Sequence, residues 1–141
     1  MRRIRARACE LEGSVRFVGF VSGEEKARLL REARAFVLPS HHENLGFAVL
    51  EALAAGVPAV VTPEVQVANL VEANGLGAVT SADPPALARA LVRILRDDVL
   101  ADTCRERGPA LVAELFSEQT VAAGLVDMYQ AAIQSTAVER T

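Results

Sequence analysis

The stretch Pro39-Ser40-His41-His42-Glu43-Asn44-Leu45-Gly46-Phe47-Ala48-Val49-Leu50-Glu51-Ala52-Leu53-Ala54-Ala55-Gly56-Val57-Pro58 decides how this chain folds. Its first half reads as a loop and its second as a helix, begun near Gly46 and stopped by Gly56 and Pro58. Glu43 then sits in the loop ahead of the first turn. Glu51 lies about a turn and a half inside the helix, at about 1.5 Å of rise per residue. Both carboxylates can face one cleft. Between them lie the N–H groups of a helix N-terminus, a ready site for phosphate, and Gly46 lets an anion approach the backbone with no side chain in the way. The expectation is an anionic ligand with one carboxylate on either side. A retaining glycosidase pair stands about 5 Å apart across one bond, which this helical offset serves poorly, so hydrolysis by the two glutamates is disfavoured.

Outward from this stretch, strand and helix alternate in a way that calls for an α/β domain with a parallel sheet of about four strands. Val15 to Phe20 is apolar and β-branched enough for a first strand. Ser22 is placed to cap a helix over Gly23 to Glu32, with Glu25 completing a capping box. Ala35 to Leu38 reads as a short buried strand ending at Pro39. Ala59-Val60-Val61 and Ala78-Val79-Thr80 read as a third and fourth strand, with a helix between them near Val67 to Ala73. The C-terminal third is helical. Asp83 precedes Pro84-Pro85 at a helix start, and Asp97-Asp98 opens another helix, expected to break or shift at Gly108-Pro109. Ser117 caps a last helix with Val121, Leu125, Val126, Tyr129 and Ile133 along one stripe. A domain over residues 1–134 with a frayed tail over 135–141 is expected. Sheets of this kind bind ligands beyond the carboxyl ends of their strands, where Phe20-Val21, Ser40 to Gly46 and Thr62-Pro63 fall.

Pro39-Ser40 followed by Glu43-x7-Glu51-Ala52 and Gly56-x-Pro58 closely resembles the signature of retaining glycosyltransferases of family 4, which have the two-domain GT-B architecture. Val15 to Val21 looks like the family's strand and turn beside the nucleotide base. Ala35 to Ser40 looks like the strand entering the motif. The resemblance runs from about Glu12 to Ile133 and covers the later part of the second, Rossmann-like, donor-binding domain. It implies that Glu43 lies near the donor sugar and is the catalytic candidate, and that Glu51 binds the ribose. Asn44, Leu45 and Gly46 would offer backbone N–H groups to sugar and diphosphate. Ser40 and His42 belong to the same loop, and Phe20 and Val21 would contact the base. A carboxylate accepts hydrogen bonds from vicinal hydroxyls, which suits Glu51 to that role on chemistry alone. After the third strand many members carry a Gly-rich turn and a Glu, where this chain reads Thr62-Pro63-Glu64-Val65-Gln66-Val67-Ala68-Asn69-Leu70-Val71. No glycine stands there to approach the diphosphate.

The resemblance implies transfer of a sugar from a nucleoside-diphosphate donor to an acceptor hydroxyl, with no metal and no other cofactor. It leaves out the acceptor domain and the first donor-domain strands with their phosphate-binding Arg and Lys. The chain by itself is therefore expected to be an inactive fragment that needs that missing domain or a partner chain. Other readings are a non-catalytic nucleotide-sugar-binding or interaction module, dimerising through an exposed apolar stripe on the last helix, and a fragment of a GT-B epimerase or phosphorylase.

Composition fits one domain, with 141 residues, 51% hydrophobic and 23% charged. A net charge of −3 and the absence of interleaved aromatics argue against a nucleic-acid partner, even with Arg2, Arg3, Arg5 and Arg7 clustered at the start. The N-terminal segment lacks the apolar run of a signal peptide, and no stretch reaches the roughly eighteen apolar residues of a membrane span. A cytoplasmic protein is expected, membrane-peripheral at most in a full-length parent. Cys9 and Cys104, the only cysteines, read as reduced thiols, and His41 and His42 lack the further ligands a zinc site needs.

Overall fold

A computed structural model describes residues 14–138. Three short parallel strands form the sheet, in the order β1 (Phe36–Leu38), β2 (Ala59–Val61), β3 (Gly77–Val79). Preceding it is α1 (Gly23–Glu32). The crossovers are α2 (Phe47–Ala54), between β1 and β2, and α3 (Ala68–Ala73), between β2 and β3. Then come α4 (Pro84–Leu95), α5 (Asp98–Phe116) and α6 (Glu118–Val138). β2 is the central strand and is buried throughout, as an Ala-Val-Val run in a sheet covered on both faces should be.

Alternation along the strands sorts the core into two layers. Phe36, Leu38, Ala59, Val61 and Val79 face one side and pack with Val49, Leu53, Val71, Leu76 and Cys104 from α2, α3 and α5 and the turn before β3. Val37, Val60 and Ala78 face the other and meet Leu87, Leu91 and Ile94 of α4. That apolar spacing on α4 is the three- and four-residue recurrence read from the sequence.

Helix α2 ends in a Schellman closure. The Gly56 N–H donates to the Leu53 carbonyl and the Val57 N–H to the Ala52 carbonyl, each at 2.9 Å, with Gly56 at φ +75°. On the far side of α2 lies α5, its most extensive neighbour. A Cβ on Gly56 would stand 2.9 Å from the Arg105 Cα, and one on Gly108 would overlap the Leu53 carbonyl oxygen. The two glycines let the helix backbones touch.

Three expectations are corrected. Residues 15–20 carry no strand; Val15, Phe17, Val18 and Phe20 are all exposed, with Phe20 at 93%. Parallel strands are stabilised by cover on both faces, which β-rich composition alone does not provide. Ser22 occupies the N-cap of α1, but its side chain makes no capping bond. Gly23 follows at φ +55°, outside the helical well, so the first turn does not lie under the Ser22 hydroxyl. Helix α5 runs unbroken through Gly108-Pro109, because tight packing of Gly108 on α2 holds the helix through a proline that would otherwise weaken it. Helix α6 extends to Val138, and its stripe of Val121, Leu125, Val126, Tyr129 and Ile133 is exposed. The basic segment with Cys9 and residues 139–141 lie outside the described residues.

Candidate functional site

The loop from β1 to α2 is built by four contacts. The Thr62 hydroxyl, wholly buried at the end of β2, donates to the Ser40 carbonyl. Within the loop, the Ser40 Oγ donates to the His42 carbonyl at 3.0 Å and accepts from the His42 N–H at 3.4 Å. Glu43 forms an isolated parallel bridge with Val65, extending the β1–β2 alignment beyond the strands and aligning the loop with the turn after β2. Gly46 then turns the chain into α2 at φ +79°, where a Cβ would stand 3.0 Å from Val65 Cγ1.

Gly46 is the N-cap of α2, and its carbonyl accepts from the Val49 N–H at 2.8 Å and the Leu50 N–H at 3.3 Å. The N–H groups of Phe47 and Ala48 have no carbonyl ahead of them in the helix. Both residues are exposed, so these amides lie at a surface that an anion can reach.

His42, Glu43 and Asn44 line one depression of about 400 Å³ with Pro63, Glu64, Val65, Gln66, Ala68 and Asn69. Glu51 lines another, with Lys26, Ala27, Leu30, Arg31, Ala54 and Ala55. There the Lys26 Nζ lies 2.5 Å from Glu51 Oε1. The pair is 40% and 44% exposed, so water competes with it and an incoming hydroxyl can replace it. Ser40 and Leu45 are half-buried; Ser40 ties the loop together and Leu45 packs on the core. Phe20 and Val21 stand just ahead of α1 and line neither depression.

Two participants were given no role from the sequence, although Thr62 was placed at a ligand-facing strand end. Thr62 carries a visible signal, a hydroxyl residue directly after an all-apolar strand. Lys26, the chain's single lysine, gave no local signal, since its meeting with Glu51 is long-range. Among the described residues no group of three His, Cys, Asp or Glu side chains is placed to hold a metal, and no helix is long and apolar enough to cross a membrane.

The family described as Glycosyl transferases group 1 matches residues 1–97. O-antigen chain mannosyltransferase B of Escherichia coli is 32% identical over 119 residues, 84% of this chain and 31% of that protein. Glycogen synthase of Mycobacterium tuberculosis is 36% identical over 132 residues, 91% of this chain and 31% of that protein. The chain thus spans about a third of the length of these curated relatives. Among solved structures, sucrose-phosphate synthase from Thermosynechococcus elongatus superposes with a TM-score of 0.80 at 29% identity, over 95% of this chain and 34% of that one. Its structural neighbours are GT-B glycosyltransferases. With most of its length matched by the family and its sheet matched by such an enzyme, this chain belongs to the group 1 glycosyltransferases.

Proposed function

We propose that the chain is the donor-binding part of a retaining family 4 glycosyltransferase, which moves a hexosyl group from a nucleoside diphosphate to an acceptor hydroxyl. One observation carries the reading: Glu43, the loop amides and the exposed N-terminus of α2 converge at the carboxyl end of a parallel sheet. Glu43 positions the donor sugar. Amides of Asn44 to Ala48 hydrogen-bond the diphosphate, and Glu51 takes the ribose hydroxyls in exchange for Lys26. Phe20 and Val21 contact the base.

In the reaction the bond from the anomeric carbon to the diphosphate oxygen breaks, and a bond to the acceptor oxygen forms on the same face of the sugar. The diphosphate leaves with its electron pair, and the acceptor gives up a proton. Negative charge grows on the leaving oxygen, so fixed N–H dipoles aimed at it stabilise the transition state more than the ground state. This reading assigns no step to a metal. The acceptor face and the cations that complete phosphate neutralisation come from outside these residues, in line with the 31% of each relative that the chain spans. Alone, it binds donor and does not turn it over.

The test is calorimetric titration with UDP, GDP and ADP, beside a Glu51→Ala variant. Saturable binding of one nucleotide, lost in the variant, is expected. No binding by the folded chain overturns the donor-site reading of these residues.

A further inference from the structure

The depression beside Glu43 has an unusual charge balance for a site next to a diphosphate. Two carboxylates, Glu43 and Glu64, and three amides, Asn44, Gln66 and Asn69, line it beside the His42 imidazole, and neither Lys nor Arg does. None of these five side chains makes a hydrogen bond or ion pair with another described residue. Their donors and acceptors are therefore available to a ligand. A cavity of about 400 Å³ is roomy enough for one hexose ring with its bridging waters.

Carboxylates and amides together suit a neutral polyol. Each carboxylate accepts from hydroxyls, and each amide both donates and accepts. The same lining disfavours an anion, because two carboxylates would face it with neither Lys nor Arg to offset them. Glu64 holds its place through the turn that contains it: the Val65 N–H donates to the Thr62 carbonyl at 3.1 Å and the Ala68 N–H to the Val65 carbonyl at 2.8 Å. The Glu43–Val65 bridge keeps that turn beside the motif loop.

We infer that this depression selects neutral hexosyl donors against hexuronosyl donors, and that Glu64 is the residue that sets the selection. Resting on the donor-site reading above, the inference adds the sugar class and a residue outside the motif. Glu64 accepts a hydrogen bond from a sugar hydroxyl remote from the anomeric carbon and repels a carboxylate at the same place.

The experiment titrates the chain with UDP, UDP-glucose and UDP-glucuronate, and with GDP, GDP-mannose and GDP-mannuronate, for the wild type, Glu64→Gln and Glu64→Asp. For the nucleotide that binds, the neutral sugar donor is expected to bind about tenfold more tightly than its uronate counterpart at low salt, with the gap narrowing as salt rises. Glu64→Gln should cut the preference to less than about threefold and leave nucleoside diphosphate affinity unchanged, while Glu64→Asp retains most of it. Equal binding of the two donors by the wild type, or an unchanged preference in Glu64→Gln, overturns the inference and leaves nucleotide binding standing. Failure of every nucleotide to bind the folded chain overturns the donor-site reading and the inference with it.

Discussion

The buried Thr62 hydroxyl donates to the carbonyl of Ser40, so the end of the central strand holds the start of the motif loop. That single bond connects the buried central strand to the residues ahead of Glu43. In Thr62→Val the shape is kept and the donor is lost, leaving the Ser40 carbonyl without its partner. We expect a loss of about 1–2 kcal/mol in urea unfolding and weaker nucleotide binding, with Thr62→Ser retaining most of the binding.

Gly46 has to accept a left-handed backbone and a close neighbour together, at φ +79° and with Val65 Cγ1 3.0 Å from where a Cβ would sit. Gly46→Ala should cost about 1–2 kcal/mol from the backbone alone. Displacement of Val65 would also pull on the bridge to Glu43. Nucleotide affinity should therefore fall more steeply than a stability effect accounts for, which calorimetry on the folded variant would measure.

The Lys26–Glu51 pair contributes little to folding at this exposure. Lys26→Ala and Glu51→Ala should each shift the unfolding free energy by less than about 1 kcal/mol. Binding separates them. Hydrogen bonds to a charged group are worth about 1.5–3 kcal/mol, so Glu51→Ala should weaken nucleotide binding by roughly ten- to a hundredfold. Lys26→Ala should not weaken it comparably, since it frees the carboxylate.

Burial pushes the Cys104 thiol up to about 11 from an ordinary value of 9.0. The folded state therefore favours the protonated thiol. Its contribution is fully present below pH 9 and is lost as pH rises towards 11, because the unfolded chain releases the proton first. The loss should be about 2–3 kcal/mol across that window and be absent from Cys104→Ala, as chemical denaturation at stepped pH would show. At neutral pH the thiol should react with a maleimide no faster than the chain unfolds.

Much of the fold around the motif was legible because its signals are local. The helix start at Gly46, its stop at Gly56, the α1 boundaries and the apolar spacing of α4 all depend on backbone rules within a few residues of each other. Features that depend on distant neighbours were read less well. Val15 to Phe20 has strand composition, yet a strand is made by its neighbours, and these residues are exposed. Gly108-Pro109 has the composition of a helix break, and the Leu53 carbonyl packed on Gly108 overrides it. The sequence spacing of Glu43 and Glu51 is unambiguous, but it gave no sign that each would line its own depression, because Lys26 and the 63–69 turn arrive from elsewhere in the chain.

The close approaches of Gly56 to Arg105 and of Gly108 to Leu53, between α2 and α5, bear on what the proposed donor binding would cost. With backbone against backbone at its carboxyl end, α2 has no soft side-chain layer there in which to pivot. Its amino end therefore points in one direction before any ligand arrives. In the proposed reaction the N–H dipoles would need no reorientation when the diphosphate docks, and none as charge moves onto the leaving oxygen. Preorganisation of this kind converts fold stability into affinity. A pair of residues with no side chains, remote from the ligand, would then set how much entropy the ligand must surrender on the protein's behalf.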